Sequence, residues 1–191
     1  MTDQRSSIHL SDPRAFRVLA HPTRLRLLGQ LRVHGPQTVG MLSDTLDEAV
    51  GSVSYHAGKL AEHGFIEPAP ELARDGRERW WRAAHASTTW EPLEMLDDPE
   101  RRSAMDLMRR AVLRCYVDSI EEYLAAEAAM DPAWVRGSAS GDTAVHLTAD
   151  ELAELRADLE ALAGRWQARS RPEHPDTRAV SMMYFAFRRP R

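Results

Sequence analysis

Apolar residues recur at helical spacing through the first third of this chain, and short breaks divide them into four segments. Asp12-Pro13 supplies an N-cap and a first-turn proline for one helix, and His21-Pro22 opens a second that Gly35-Pro36 ends. Thr38 can cap a short third helix, and residues 49–63 make a fourth. The pattern predicts four amphipathic helices, each with one face in a common core.

A hairpin is predicted directly after the fourth helix. Gly64 stands where a left-handed residue commonly ends a helix. Residues 65–67 and 79–82 then have strand character on either side of an arginine-containing tip at residues 74–77. Helices followed at once by such a hairpin are typical of a winged helix-turn-helix, in which one helix enters the major groove and the wing meets the flanking backbone.

The fourth helix has two distinct faces at 100° per residue. Its apolar side carries Val53, Ala57 and Leu60, and we expect it to pack on the second and third helices. The opposite side offers hydroxyl, phenol, imidazole and ammonium groups, which suit base edges and phosphates. We therefore expect DNA contacts from this helix and from the wing, at Ser52, Ser54, Tyr55, His56, Lys59, Arg74, Arg77 and Arg79, with Ser54 closest to the packed side.

Two segments resemble a known family. The run from Val53 to Ile66, Val-Ser-Tyr-His-Ala-Gly-Lys-Leu-Ala-Glu-His-Gly-Phe-Ile, resembles the recognition helix of ArsR-like winged-helix repressors. His21-Pro-Thr-Arg-Leu-Arg-Leu-Leu28 is similar to that family's second-helix opening. With the wing, the resemblance covers residues 12–85. It implies a dimer that binds an inverted repeat and represses transcription until an inducer binds.

The chain departs from that family in two places. Asp47 and Glu48 stand in the turn where a small residue is commoner, and Ala49 replaces the usual polar cap, so we expect one of the two carboxylates to cap the fourth helix. The third helix lacks the cysteine pair of the metal-sensing members, and Cys115 is the only cysteine. Because soft-metal sensing needs thiolates, we predict no metal site.

The second half of the chain begins with a long helix over residues 97–130. One apolar stripe runs along it, and we expect this stripe to pair with its mate in a twofold dimer through Met105, Met108, Val112, Tyr116, Ile120 and Tyr123. The alternative is that the stripe packs only within the monomer. We accordingly divide the chain into a DNA-binding domain at residues 10–88 and a dimerisation and ligand-sensing region at residues 89–191.

The carboxyl-terminal part is predicted to be a strand, a helix and a strand. Residues 142–147 form the first strand, Thr148 to Glu151 form a capping box for a helix that reaches Arg169, and residues 180–187 form a buried second strand. The fold class is thus mainly α (α+β). Aromatic and methionine side chains in this region suit either a plain core or a pocket for a small organic effector.

Composition and charge set limits on function. The chain has 191 residues, of which 43% are apolar and 28% charged, with a net charge of −4. Residues 1–88 nevertheless carry 11 Lys and Arg against 10 Asp and Glu, so the acidic excess lies in the second half. No apolar run could cross a bilayer and no secretory signal is evident, so we expect a cytoplasmic protein with no membrane contact.

No motif for catalysis or for a nucleotide cofactor is present, so we predict no enzymatic activity, no catalytic residue and no cofactor. The sequence favours a homodimeric, sequence-specific DNA-binding regulator with double-stranded DNA as its partner. A repressor that a small organic effector releases is the specific form we expect. The alternative is a winged-helix module that contacts proteins and does not bind DNA sequence-specifically.

Overall fold

The computed structural model describes residues 7–74 and 78–190. The chain forms two compact units, and the division falls between Glu122 and Tyr123. Residues 89–122 therefore cluster with the amino-terminal elements. The functional division at residues 88 and 89 stays a prediction.

The first unit is built from helices and short strands, and its helices follow the order that the sequence predicts. Its strands are β1 (Ser7–His9), β2 (Gln37–Thr38), β3 (Ile66–Pro68), β4 (Trp80–Ala83) and β5 (Ser87–Thr89). Its first four helices are α1 (Pro13–Leu19), α2 (Pro22–His34), α3 (Val39–Leu46) and α4 (Val50–Glu62), and the long α5 (Pro99–Ala126) begins here. The four predicted amino-terminal helices are confirmed, and so is the long helix, with a 3-10 turn following it at Glu127–Ala129.

Most of the predicted helix boundaries are confirmed by their hydrogen bonds. Asp12 accepts from the backbone N–H of Arg14 at 2.8 Å, and Thr38 accepts from that of Met41 at 3.2 Å. Gly64 has φ 70°, as its place after α4 requires.

The expectation that Asp47 or Glu48 caps α4 is wrong. Ala49 is the N-cap and makes no side-chain cap bond. Asp47 ends α3 instead, in the left-handed conformation at φ 52°, and its N–H donates to the carbonyl of Ser43. The turn between the two helices therefore contains a left-handed residue, and neither carboxylate caps α4.

The wing is a three-stranded antiparallel sheet in the order β2-β4-β3. Glu67 lies opposite Arg82 across β3 and β4, which confirms the predicted hairpin. The sequence did not predict β2, which adds Thr38 opposite Trp80, or the parallel pair of β1 and β5. Strands of two or three residues are too short to show a period of two.

One core joins these elements. The side chains of Phe16, Leu27, Leu42 and Leu60 are fully buried in it. Helix α5 contributes further buried residues, among them Met105 at 2% exposure and Met108 at 1%. This corrects their predicted place at a dimer contact, because both side chains are already enclosed by their own chain.

The second unit contains α6 (Pro132–Gly137) and α7 (Ala149–Ala168). The predicted capping box of α7 is confirmed, with Thr148 and Glu151 bonded reciprocally. Helix α6 was not predicted. Among described residues 123–190 no side chain is buried.

The two predicted carboxyl-terminal strands are not formed. Residues 142–147 and 180–187 have no regular structure, and Val180 and Phe187 are 76% and 69% exposed. A strand needs a neighbour to pair its backbone groups, and the described part of this unit contains no strand. Apolar composition alone therefore misled the prediction.

Candidate nucleic-acid interface

Helix α4 presents the predicted polar face. Val53, Ala57 and Leu60 are fully buried on one side, whereas Tyr55 is 61% exposed on the other. Ser54, which the helical projection placed nearest the packed side, is exposed as well. The helix thus offers a phenol and a hydroxyl to a ligand while its apolar side is held by the core.

Lys59 lies on the same face but has a partner in its own helix. Its ammonium is 2.8 Å from the carboxylate of Glu62 and 6.0 Å from the ring centroid of Tyr55. The hydrogen bond to Glu62 raises the pKa of Lys59, so the lysine is a persistent cation. Glu62 therefore competes with any anionic ligand for this ammonium.

His56 lies on the packed side, contrary to the prediction. Its side chain is 8% exposed, and its ring centroid is 4.4 Å from that of His21 at the start of α2. Burial is the main cause that lowers the pKa of both imidazoles, and Arg24 lowers both further. His56 therefore packs α4 against α2. In a helical projection this residue lies at the edge of the polar face of α4, and in the structure that edge is in contact with the start of α2.

Ser52 is also engaged within the protein. Its hydroxyl donates to the carboxylate of Glu48 at 3.0 Å. Glu48 accepts at its other oxygen from Thr23 at 2.6 Å and from Arg26 at 2.8 Å. The residue that departed from the family pattern is thus a junction between α2 and α4, a role that no feature of the sequence had indicated.

The wing carries its cations as predicted, as far as it is described. Arg74 and Arg79 are exposed, and Arg77 lies outside the described residues. The carboxylate of Glu78 accepts from the backbone N–H of Arg74 at 3.0 Å. The side chains of both described arginines are therefore open to solvent.

Sequence reasoning missed Arg82 on β4. Its guanidinium pairs with Glu67 at 2.7 Å and also with Glu71. These hydrogen bonds and nearby charges raise the pKa of Arg82. The signal that could have found it is the hairpin register, since residues 67 and 82 are cross-strand neighbours of opposite charge.

Three cations of this region, Arg26, Lys59 and Arg82, are thus each paired with a carboxylate of the same chain. Such pairs are partly exposed and contribute little to stability. Each carboxylate would compete with an anionic ligand for its cation.

No group of three or more histidine, cysteine or acidic side chains in the described part of the chain could hold a metal ion. Cys115 is half-buried, and burial, followed by Asp118, raises the pKa of its thiol. The thiol is thus kept protonated near neutral pH.

The aromatic side chains of the second unit form no buried core. Trp134, Trp166 and Phe185 are 43%, 56% and 59% exposed. Trp166 has a cationic neighbour, with the guanidinium of Arg169 4.5 Å from its ring centroid. The expectation of a plain core is therefore wrong for the chain by itself.

Residues 19–69 match the helix-turn-helix domain family. The matched segment runs from the end of α1 to the end of β3 and so contains α2, α3 and α4. Comparison with curated proteins gave no match. With the β2-β4-β3 wing, the fold is a winged helix-turn-helix followed by a long helix. A helix-turn-helix domain suggests DNA-binding transcription regulation and is typical of non-enzymatic regulators. None of the described helices is long and apolar enough to cross a membrane.

Proposed function

We propose that this protein is a homodimeric, sequence-specific DNA-binding transcription regulator. The observation that carries the proposal is the two-sided character of α4 within the matched segment. Its inner residues are fully buried, and its outer face exposes Tyr55 and Ser54. A helix held in this way can enter the major groove without disturbing the core.

The proposed contacts divide into two kinds. Tyr55 and Ser54 meet base edges from α4, and Lys59 meets a base edge or a phosphate once Glu62 releases it. Arg74 and Arg79, together with Arg77, neutralise phosphates beside the groove. Ser52 and His56 support α4 from within the protein, so we do not assign contacts with base edges to them.

The dimer proposal is centred on a different stripe of α5 from the one the sequence indicated. Leu113, Val117 and Ile120 are 46%, 52% and 49% exposed and recur at intervals of four and three residues. That spacing is typical of the contact surface between two paired helices. Met105 and Met108 are not part of this stripe and stay in the core. Val112, Tyr116 and Tyr123 are half-buried and flank this stripe along the helix.

Repression at an inverted-repeat operator is the output we propose from the resemblance to ArsR-like repressors. Two copies of α4 related by a twofold axis would read two half-sites one helical turn apart. A small organic effector that releases the protein from DNA belongs to the same proposal. Its support is the exposed apolar surface of the second unit together with the lack of a metal site in the described residues.

The test is fluorescence anisotropy with a labelled duplex from the gene's own upstream region. An unrelated duplex of equal length serves as the comparison, and both are titrated over a salt series. We expect tighter binding to the upstream duplex and a linear loss of log affinity with log salt. Equal affinity for both duplexes with no dependence on salt would contradict the proposal and favour a protein-binding winged helix.

A further inference from the structure

Glu48 occupies the turn between α3 and α4, and both of its carboxylate oxygens are used. One oxygen accepts from the Thr23 hydroxyl at 2.6 Å and from the Arg26 guanidinium at 2.8 Å, and the other accepts from the Ser52 hydroxyl at 3.0 Å. The side chain is 22% exposed. The hydrogen bond from Thr23 is the main cause that lowers the pKa of this carboxyl, so Glu48 is ionised whenever the protein is folded near neutral pH.

The backbone of the same residue is tied to α3. The Ser43 hydroxyl donates to the carbonyl of Glu48 at 2.5 Å, and the N–H of Glu48 donates to the carbonyl of Ser43 at 3.2 Å. Residue 48 therefore makes hydrogen bonds to α2, α3 and the first turn of α4. These bonds fix where α4 begins relative to the two helices that support it.

The carboxylate also controls a charge. Arg26 is 45% exposed, and its ion pair with Glu48 neutralises it beside the first turn of the proposed recognition helix. Since any duplex offers phosphates, a free guanidinium here would strengthen binding to every sequence alike. The ion pair between Arg26 and Glu48 prevents this increase in affinity for every sequence. The hydrogen bonds that fix α4 preserve the part of the affinity that depends on base sequence.

We propose that Glu48 is a positioning residue for DNA specificity, which orients the first turn of α4 through Ser52 and Thr23 and withholds Arg26 from non-specific phosphate contacts. This inference rests on the proposed DNA-binding function. It assigns to Glu48 both a geometric and an electrostatic role, and the two roles can be measured separately.

The principal variant is Glu48→Gln, which keeps an acceptor oxygen for a hydroxyl and removes the charge. Affinities for the upstream duplex and the unrelated duplex are measured by anisotropy across a salt series. We expect tighter binding to the unrelated duplex, with a salt slope steeper by about 0.9 for one added phosphate contact. Preference for the upstream duplex should fall about fivefold to tenfold, the usual cost of one lost element of recognition.

Two further variants separate the charge from the general acidity of the chain. Glu160→Gln removes the same charge from α7, where Glu160 pairs with Arg156 at 2.8 Å, and should leave the slope and the preference unchanged. The double variant Glu48→Gln with Arg26→Gln should return the salt slope to that of the wild type, because the released cation is gone.

Ser52→Ala and Thr23→Val test the geometric role with the carboxylate and its ion pair intact. Each should lower the preference for the upstream duplex without changing the salt slope, and both keep the inference testable if Glu48→Gln does not fold. If Glu48→Gln, Ser52→Ala and Thr23→Val all keep the wild-type preference for the upstream duplex and the wild-type salt slope, this inference is overturned while the proposed function stands. A wild-type protein that does not distinguish the two duplexes would overturn the proposed function, and this inference with it.

Discussion

The imidazole rings of His21 and His56 lie 4.4 Å apart and join the start of α2 to the middle of α4. The Nδ1 atom of each ring is buried with no hydrogen-bond partner among the described residues, as is the Nε atom of Arg24. Arg24 from α2 and Glu48 from the turn act on both rings, whereas Arg26 acts on His21 and His21 acts on His56. Protonation would thus place a new charge in a desolvated position beside an arginine.

This pair predicts a dependence of stability on pH. Because the pKa of each ring is lowered from 6.5 in the folded protein, the unfolded chain binds more protons between the folded pKa and 6.5. The free energy of unfolding should therefore fall as the pH decreases through that window, and level off below the folded pKa values. Thermal melts at intervals from about pH 7.5 to about pH 5 measure it.

The variant for this prediction is His56→Gln, whose melting temperature should change less steeply with pH than that of the wild type. His34→Gln is the matched control, since His34 is exposed at the end of α2. A wild-type slope in His56→Gln would show that the pair does not contribute. Slopes are compared and not absolute temperatures, because the substitution itself alters packing.

Tyr55→Ala is expected to reduce specificity. The exposed phenol is the largest group on the outer face of α4, and its loss removes contacts to base edges but no cation. Affinity for the upstream duplex should fall about tenfold, with affinity for an unrelated duplex and the salt slope unchanged. An equal loss on both duplexes would place Tyr55 against the backbone instead.

Arg79→Ala is expected to act in the opposite manner. A wing arginine that neutralises one phosphate contributes to binding on every duplex, so both affinities should fall by a similar factor. The salt slope should become shallower by about 0.9. Selective loss on the upstream duplex would instead assign base recognition to the wing, as in minor-groove readers.

Val117→Arg is expected to separate the dimer. Val117 is 52% exposed in the middle of the α5 stripe, and an arginine there would place like charges against each other across a twofold axis. Sedimentation velocity should show monomers, and affinity for the operator should fall at least about tenfold as the second half-site is lost. Leu107→Arg is the control, because Leu107 is 54% exposed on the same helix but off the stripe. Dimers in both variants would contradict the assigned surface.

Gly64→Ala is expected to destabilise the first unit by about 1 kcal/mol, because φ is 70° there and a β-carbon is disfavoured in that conformation. Gly29→Ala is the contrasting change, since Gly29 lies within α2 and an added β-carbon would meet nothing within 4 Å. It should stabilise by up to about 1 kcal/mol. Urea unfolding of both variants measures the difference, and equal midpoints would contradict the argument.

Local signals in the sequence were sufficient for the amino-terminal helices. Asp12 and Thr38 act on backbone groups within three residues, and Gly64 acts on its own dihedral angles, so their effects do not depend on distant parts of the chain. The same holds for the capping box at Thr148, which opens α7 in a unit whose other predicted elements failed.

To predict which residues of the candidate DNA-binding site are exposed requires information that a helical projection does not contain. Such a projection gives an angle around α4, but it does not say which neighbouring helix lies over that angle. His56 was expected at the DNA face and is covered by His21, and Ser52 was expected there and is bonded to Glu48. Met105 and Met108 belong to an apolar stripe, and only the packing of α5 shows that the stripe is used within the chain.

The sequence by itself determined the order of the amino-terminal helices, the outward direction of Tyr55 and the wing as a hairpin, because these follow from spacing and from contacts between near neighbours. Tertiary structure alone decided which polar groups are free to bind. Glu48 shows the reason: its partners Thr23 and Arg26 lie 25 and 22 residues away, and long-range hydrogen bonds leave no periodic trace along a chain. It likewise decided that residues 180–187 form no strand in a single chain, because pairing depends on a neighbouring strand and not on composition.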